Sequence, residues 1–299
     1  MSPVPEPREW PAELHVRERG EGRPIVFVHG QPGTAADFSA VERLLSQDFK
    51  TLRYDRPGWG KSELSPTGLA ANAAVLGDLL ELAASPPLVV GYSFGAAVGV
   101  LAARQHPEAV GGLVLVCPAV GPESLGALDR VMAAPRLAEG LAIGGFALGA
   151  WVLDLVDRHG SVFPGPVSQR LAPLASSGIS RVLVSGRHPW KAFVTEQRAL
   201  LAEMEAVEAS LGELAVPTVL IGGRRDRAVP PAAVEAAAAR IGHAELAFLE
   251  GGHLLPWSAP YALARLIASA AANLDAGRAA GPGARDPLGD LYRKRPRPR

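Results

Sequence analysis

The sequence predicts an α/β protein whose mostly parallel central sheet is flanked by helices. Short apolar runs alternate with helical stretches through the first 120 residues, and the alternation returns after residue 215. Gly, Pro or Asp bounds these runs, which is typical of strands buried on both faces of a sheet. With 299 residues, of which 48% are hydrophobic, the chain is long enough to bury a large core.

The apolar runs and the helical periodicity locate the individual elements. The predicted strands are Leu14–Arg19, as an antiparallel edge strand, Pro24–Val28, Thr51–Tyr54, Leu88–Val90, Leu113–Val116, Val216–Ile221 and Ala244–Leu249. The predicted helices are Ala35–Ser46, Thr67–Ala84, Phe94–Gln105, Trp190–Leu211, Pro231–Arg240 and Pro260–Leu274. Between Gly121 and Leu214 no strand is predicted, so this segment is a helical insertion before the last two strands. Residues 1–120 and 215–276 then form one sheet domain.

The charge balance and the single cysteine exclude several classes of protein. Lys and Arg number 30, as do Asp and Glu, and this zero net charge argues against a protein whose whole surface binds nucleic acid or anionic membranes. No specific nucleic-acid partner is expected. One cysteine, Cys117, excludes a disulfide-stapled scaffold and Cys-based zinc modules. Because it follows a predicted buried strand, Cys117 is expected to pack as a small hydrophobic residue.

The charge is divided unevenly along the chain. Arg278–Arg299 holds seven basic and two acidic residues, a balance of +5, and the remaining 23 basic and 28 acidic residues give −5. Residues 277–299 are rich in Gly, Pro and Arg and offer little apolar surface. This composition predicts a basic, disordered tail.

No targeting or membrane-spanning segment is expected. Met1–Pro11 has four prolines and lacks the apolar run of a signal peptide. The longest apolar stretch, Leu141–Val156, has about 16 residues and is interrupted by glycines, whereas a spanning helix needs about 20. The sequence therefore predicts a cytoplasmic protein without a membrane span.

The candidate chemistry begins at Gly91–Gly95, where the pattern Gly-x-Ser-x-Gly follows a predicted strand and precedes a predicted helix. In that context a sharp turn lifts the Ser93 hydroxyl above the sheet, and the glycines let strand and helix approach closely. The helix N-terminus also presents N–H groups and a positive dipole end to a developing anion. Ser93 is therefore the predicted nucleophile, and an ordinary turn with a surface serine is the alternative.

A serine nucleophile needs a base within hydrogen-bonding reach. Of the seven histidines, His253 lies just after the last predicted strand, in a loop before Pro256. His106 lies at a helix end and His243 between a helix and a strand, where a capping or a surface role suffices. His253 is therefore the predicted base.

The base in turn needs an acid that orients it and stabilises the imidazolium. Asp226 follows the strand predicted at Val216–Ile221, whereas Asp154 and Asp157 lie in the insertion without a strand end beside them. Asp226 is the predicted acid, with helix capping or pairing with a neighbouring arginine as the alternatives. Ser, Asp and His then follow strand ends in the order that one fold requires.

The segment His29–Gly33 ends another predicted strand. Acyl transfer needs two donors aimed at the oxyanion of the tetrahedral intermediate, and the backbone N–H groups of Gln31 and Phe94 are the candidates. His29 is interpreted as shaping this loop rather than as a second base. Whether the Gln31 side chain points into the site stays open.

Together these segments resemble the α/β-hydrolase-fold serine hydrolases, in the branch that includes small esterases and cofactor-free haloperoxidase-like enzymes. The matching pieces are His29–Gly33, Tyr54–Ser62, Gly91–Gly95, Gly223–Asp226 and Gly252-His253, within residues 14–274. The resemblance implies that residues 121–214 form a helical lid that covers the site and sets substrate choice. It identifies a fold rather than a substrate.

The activity expected of such an enzyme is hydrolysis of a carboxylic ester or a related acyl compound, through an acyl-enzyme on Ser93 and without a metal or an organic cofactor. Because the lid segment offers Phe146, Trp151, Phe163 and Trp190, a small, mainly apolar substrate is expected. Packing of these aromatic residues on the core is the alternative. The candidates for the substrate pocket are Tyr92, Phe146, Trp151, Trp190 and Leu254.

Other functions remain open on the same residues. C–C bond hydrolysis and peracid formation by a cofactor-free haloperoxidase use the same triad, and a ligand-binding receptor on this fold is the alternative from another class. A serine at position 93 argues against haloalkane dehalogenases and epoxide hydrolases, which need a carboxylate there. Gln31 stands where proline iminopeptidases have glycine. Gly60-Lys61-Ser62 lacks the first glycine of a phosphate-binding loop, since Asp55 occupies that position.

Overall fold

The computed structural model describes residues 10–134, 140, 143–145, 148 and 189–275. Its strands, β1 to β7 in chain order, are Val16–Arg19, Pro24–Val28, Lys50–Tyr54, Leu88–Tyr92, Gly112–Val116, Thr218–Gly223 and Glu245–Leu249. Its helices, α1 to α8, are Ser39–Leu45, Leu69–Glu81, Phe94–Gln105, Ala127–Ala133, Pro189–Leu211, Pro231–Ile241, Leu255–Ser258 and Pro260–Asp275. Short 3-10 turns cover Ala35–Phe38, Pro107–Ala109 and Pro122–Ser124.

The strands join into one seven-stranded sheet in the order β1-β3-β2-β4-β5-β6-β7. Strand β1 pairs antiparallel with β3, and every other pair is parallel. Val26 at the centre of β2 lies opposite Leu52 on β3 and Val89 on β4. The predicted mostly parallel sheet with an antiparallel edge strand is confirmed.

Helices cover both faces of the sheet. Ile25 and Phe27 face the layer that includes α1 and α8, whereas Val26 and Val28 face the layer that includes α2 and α3. Successive side chains of a strand point to opposite faces, so a strand covered on both faces is apolar at every position. This double burial explains why the sequence shows continuous apolar runs rather than an alternation.

Helix α5 lies at the end of the predicted lid segment, yet its C-terminal half belongs to the core. Leu200, Met204, Val207 and Leu211 are buried in the same apolar cluster as the helix that follows Ser93. The lid assigned to residues 121–214 stays a prediction, because residues 135–188 fall almost entirely outside the described residues. The predicted tail at 277–299 also falls outside them.

Among the residues that the structure describes, no helix is both long enough and apolar enough to cross a bilayer.

The parallel strands bring distant parts of the chain to one edge of the sheet. Loops that follow β2, β3, β4, β6 and β7 carry Gln31, Arg56, Ser93, Asp226 and His253 respectively. Ligand sites of open α/β sheets lie outside the carboxyl ends of the strands. The candidate site therefore lies at this edge.

Candidate active site

Ser93 occupies a strained turn between β4 and α3. Its backbone has φ 53° and ψ −115°, a conformation that residues other than glycine rarely adopt. A Cβ on Gly91 would lie 2.5 Å from the Gly95 carbonyl oxygen, and one on Gly95 would lie 2.2 Å from that of Val28. Both positions of the Gly-x-Ser-x-Gly pattern therefore exclude a side chain because backbone atoms fill the space. The turn directs Ser93 to the carboxyl edge of the sheet.

His253 lies in the loop after β7 and meets Ser93. Its Nε2 is 3.0 Å from Ser93 Oγ, and its side chain is 22% exposed. The Tyr92 ring lies against the imidazole, with centroids 5.3 Å apart, and the Tyr92 hydroxyl donates to the His253 carbonyl oxygen at 3.1 Å. Tyr92, a predicted pocket residue, is itself buried and holds the loop that carries His253.

Asp226 lies on the other side of the imidazole, in the loop after β6. Its Oδ2 is 2.8 Å from His253 Nδ1, while its Oδ1 accepts the backbone N–H groups of Ala228 and Val229 at 2.8 and 3.0 Å. The carboxylate thus fixes its own loop before α6 and also contacts His253. Burial raises the pKa of Asp226, but the hydrogen bond and charge of His253 and the two N–H groups outweigh it and hold that pKa below its ordinary value.

Cys117 stands behind this pair, directly after β5. Its Sγ, an oxygen of Asp226 and a ring nitrogen of His253 all lie within 4.8 Å of one another. Burial, followed by the charge of Asp226, raises the pKa of the Cys117 thiol, so the sulfur stays protonated. The Asp226 carboxylate and the His253 imidazole are already hydrogen-bonded to each other at 2.8 Å. The thiol therefore packs behind the acid, which agrees with the hydrophobic role expected of Cys117.

The loop of Gln31 lies beside Ser93. A Cβ on Gly30 would lie 3.3 Å from Ser93 Cβ, so the residue before Gln31 leaves no room for a side chain beside the nucleophile. Phe94 is the first residue of α3, where helix geometry leaves its N–H without a partner inside the helix. No acceptor for the N–H of Gln31 or of Phe94 occurs among the described residues. Both donors are thus available beside Ser93.

The hydrogen bonds of the His29 and Gln31 side chains indicate a structural role for both rather than a catalytic one. His29 is buried, its Nδ1 donates to the Gly30 carbonyl oxygen at 2.9 Å, and its Nε2 accepts the Arg56 N–H at 2.9 Å. Burial and the nearby guanidinium of Arg56 hold the pKa of His29 well below its ordinary value, so the ring is neutral. Gln31 Nε2 donates to the Phe193 carbonyl oxygen on α5 at 2.7 Å. These contacts agree with the interpretation of His29 as a loop-shaping residue.

The remaining pocket candidates are only partly described. Trp190 packs with Met132, Phe193 and Val194 at the start of α5, and Leu254 is half-buried directly after His253. Phe146, Trp151 and Phe163 lie outside the described residues, as do the runner-up acids Asp154 and Asp157.

The sequence reasoning missed a buried ion pair beside the site, Arg56 with Glu196. Arg56 follows β3 inside the segment Tyr54–Ser62, which the resemblance had singled out without giving Arg56 a role. Glu196 lies among polar residues of α5, and no local sequence pattern predicts its burial or its pairing with Arg56. Their proximity to His29 follows from the tertiary structure.

Comparison with known proteins identifies the family of the chain. A model of the alpha/beta hydrolase family matches residues 25–266. The 2-hydroxy-6-oxononadienedioate/2-hydroxy-6-oxononatrienedioate hydrolase of Cupriavidus pinatubonensis is 29% identical over 264 residues, which cover 85% of this chain and 89% of that protein. The pimeloyl-(acyl-carrier protein) methyl ester esterase of Methylococcus capsulatus is 30% identical over 233 residues, which cover 73% and 82%.

A shorter match involves the 2-(acetamidomethylene)succinate hydrolase of Mesorhizobium japonicum, which is 33% identical over 174 residues. These residues cover 55% of this chain and span 63% of that relative. The family model, in contrast, covers the sheet from β2 to β7 and the first part of α8. The chain therefore belongs to the alpha/beta hydrolase family and is a hydrolase of the esterase and C–C hydrolase type.

Proposed function

We propose that the chain is a serine hydrolase that cleaves a carboxylic ester or a related small, mainly apolar acyl substrate. The observation that carries the proposal is the continuous hydrogen-bonded series from Ser93 Oγ to His253 at 3.0 Å and from His253 to Asp226 at 2.8 Å. With the Asp226 carboxylate accepting the Nδ1 proton, Nε2 keeps a lone pair for the Ser93 hydroxyl proton. A hydroxyl nucleophile requires this arrangement.

In the proposed reaction, His253 removes the Ser93 proton as Oγ attacks the carbonyl carbon of the substrate. The carbonyl oxygen becomes an oxyanion, which the N–H groups of Gln31 and Phe94 stabilise. His253 then gives the proton to the leaving alcohol, and the acyl-enzyme remains. Water, deprotonated by His253, attacks the acyl-enzyme and releases the carboxylic acid and free Ser93.

Two observations support an apolar ester as the substrate. The Methylococcus capsulatus relative is named for the hydrolysis of a methyl ester. Trp190, Phe193 and Val194 form an apolar cluster on α5, the helix whose backbone contacts the Gln31 side chain. An acyl chain leaving the oxyanion loop toward the start of α5 would meet the apolar side chains of this cluster.

C–C bond hydrolysis is the second candidate, because the Cupriavidus pinatubonensis relative is named as a 2-hydroxy-6-oxononadienedioate hydrolase and matches most of this chain. The same serine, histidine and aspartate would serve that reaction. The two candidates differ in substrate, so a substrate comparison separates them.

Labelling with a fluorophosphonate probe tests the nucleophile. We expect the wild-type chain to label at Ser93, and Ser93→Ala to abolish labelling and to lower turnover by several orders of magnitude. Ser85→Ala is the matched control, since Ser85 is exposed and precedes the same strand at its opposite end. A wild-type chain that does not label, or a Ser93→Ala chain that labels equally, would contradict the proposal and favour a binding protein.

A panel of p-nitrophenyl esters of increasing acyl length tests the substrate class. We expect turnover that rises with acyl length up to the size of the pocket. Labelling at Ser93 combined with no turnover across the panel, but with cleavage of 2-hydroxy-6-oxononadienedioate, would overturn the ester proposal in favour of C–C hydrolysis.

A further inference from the structure

The described residues contain a fully buried ion pair that the proposed reaction does not use. Arg56 and Glu196 both have side chains with no exposed surface, and both guanidinium Nη atoms contact the carboxylate. Removing two charges from water costs several kcal/mol each, and replacing such a pair by apolar residues is often neutral or stabilising. Stability alone therefore does not account for this pair.

Two further N–H donors of Arg56 bind the loop that precedes Gln31. Its Nε donates to the His29 carbonyl oxygen at 3.0 Å, and its Nη2 donates to that of Gly30 at 2.9 Å. The guanidinium also lies over the Phe94 ring, with 4.6 Å between its central carbon and the ring centroid. One buried cation thus contacts both segments that carry a candidate oxyanion donor.

Helix α5 holds the same loop a second time. Gln31 Nε2 donates to the carbonyl oxygen of Phe193, which lies three residues before Glu196. A single turn of α5 therefore contacts the loop on both sides of the Gln31 N–H. It does so through Arg56 on the N-terminal side and through the Gln31 side chain itself.

We propose that Glu196 and Arg56 are positioning residues, which hold the backbone of His29–Gln31 so that the Gln31 N–H faces the oxyanion above Ser93. This inference rests on the proposed function of Ser93. Glu196 fixes the orientation of the guanidinium, and the guanidinium fixes the two carbonyl groups before Gln31. Oxyanion donors act because they are already in place when charge develops, and loss of one donor typically lowers kcat by about 10²–10³-fold.

Helix α5 then has a role beyond packing. The helix joins the predicted lid to the core, and two of its residues contact the oxyanion loop directly or through Arg56. A movement of this turn would displace the Gln31 N–H. The state of the oxyanion hole is thereby coupled to the position of α5.

The rate of phosphonylation of Ser93 by a fluorophosphonate tests the proposal, because the phosphoryl oxygen uses the oxyanion donors and no ester pocket is needed. The variants are Glu196→Gln, which removes the charge and keeps the shape, and Gln31→Ala, which removes the side-chain contact and keeps the backbone N–H. We expect both to slow labelling at least tenfold when each is assayed well below its unfolding midpoint. With an ester substrate we expect kcat to fall while KM stays within twofold.

Glu203→Gln is the matched control on the same helix. The Glu203 carboxylate accepts the N–H groups of Leu69 and Ala70 at the start of α2, away from the oxyanion loop. We expect this variant to lose some stability and to label at the wild-type rate. The Glu196 and Glu203 carboxylates both bind α5 to the core, but only that of Glu196 acts on the oxyanion loop. Comparing the two variants therefore separates the effect of a less tightly bound helix from that of a displaced oxyanion donor.

The outcomes are distinct. Wild-type labelling rates in Glu196→Gln or in Gln31→Ala overturn the inference, and a lowered unfolding midpoint alone would then identify the pair as structural. If Glu196→Gln does not fold, the rate of Gln31→Ala decides. A wild-type chain that does not label at Ser93 overturns the proposed function and this inference together. A chain that labels at Ser93 but hydrolyses no ester overturns only the substrate class.

Discussion

At the scale of single residues, the imidazole of His253 is held from three directions. Asp226 binds its Nδ1, Ser93 contacts its Nε2, and Tyr92 lies against the ring and binds the His253 carbonyl group. A ring fixed in this way keeps one tautomer and one orientation, and the proposed reaction depends on both. The contact with Asp226 is the strongest candidate for setting the tautomer, because it is the charged one.

Replacement of Asp226 by Asn tests that assignment. The variant keeps an oxygen for the N–H groups of Ala228 and Val229, so we expect it to fold. Its amide cannot favour a protonated Nδ1 as a carboxylate does, and we expect kcat to fall by about 10³–10⁴-fold. Steady-state kinetics with an ester substrate measures this loss. A loss below tenfold would show that another group orients His253.

The same variant has an expected pH signature in stability. Because the pKa of Asp226 in the folded chain lies below its value of about 3.9 in an unfolded chain, the carboxylate stabilises the fold above that pH. This stabilisation disappears as the pH falls through the lowered pKa. The difference in free energy of unfolding between the wild type and Asp226→Asn should therefore shrink in acid, as urea titrations at several pH values would show.

At the scale of elements, the junction of β4 with α3 depends on how closely α3 approaches the end of β2. A Cβ on Gly95 would lie 2.2 and 2.5 Å from the carbonyl oxygens of Val28 and His29. Gly99, one turn later in α3, has only side-chain atoms nearby, at 3.5 and 3.7 Å. Two glycines of one helix thus differ in what a methyl group would meet.

Gly95→Ala and Gly99→Ala should therefore change stability in opposite directions. We expect Gly95→Ala to cost about 1–3 kcal/mol or more, because backbone atoms must move. It should also lower the rate of fluorophosphonate labelling at Ser93, because the helix that carries the Phe94 N–H is displaced. Gly99→Ala should gain up to about 1 kcal/mol from helix propensity. Urea denaturation of the two variants measures both values, and equal losses would contradict the role assigned to the close approach.

The predicted element bounds hold where local signals set them and shift where a distant residue sets them. Strand β2 and helix α3 have the predicted bounds, since their ends are marked by glycine, proline or the turn at Ser93. Helix α2 was predicted at Thr67–Ala84 and is observed at Leu69–Glu81. Its first N–H groups are bound by Glu203 of α5. The position of that start is set by a partner more than a hundred residues away, which periodicity does not reveal.

The predicted helix at Ala35–Ser46 shows a similar effect. A 3-10 turn, Ala35–Phe38, precedes α1, which starts at Ser39. The Ala35 N–H donates to Asp55, and its carbonyl oxygen accepts from Arg53, so both backbone groups bind side chains near the end of β3. The first turn therefore lacks regular α-helical pairing.

The candidate site shows the same contrast between residues that local sequence patterns predict and residues whose positions depend on distant contacts. Ser93, Asp226 and His253 each follow a strand, and parallel strands end at one edge, so the sequence alone predicts which side chains meet. Arg56 and Glu196 are charged residues of the kind usually found at a surface, and their burial depends on how α5 packs. Local patterns contain no information on that packing. The sequence therefore predicts the groups of the triad and misses the groups that hold its oxyanion loop.

At the scale of the whole molecule, zero net charge hides two parts of opposite sign. Residues from Arg278 onward carry +5, and the rest of the chain carries −5. The described part of the chain ends with α8, whose buried residues Leu263 and Ile267 pack against the sheet. The five loop residues at the carboxyl edge of the sheet all precede α8 in the chain. The fold and the candidate site thus lie within the acidic part.

A chain that lacks residues 277–299 should therefore keep its activity and change its charge. We expect the rate of fluorophosphonate labelling and the unfolding midpoint to match those of the full chain, because α8 and every group of the candidate site remain. The net charge should become −5, so the shortened chain should bind an anion exchanger more strongly and a heparin column more weakly. Ion-exchange elution and the labelling rate measure the two effects on the same samples. A labelling rate that falls with the truncation would mean that residues 277–299 take part in the site. The candidate site would then not lie within the acidic part of the chain alone.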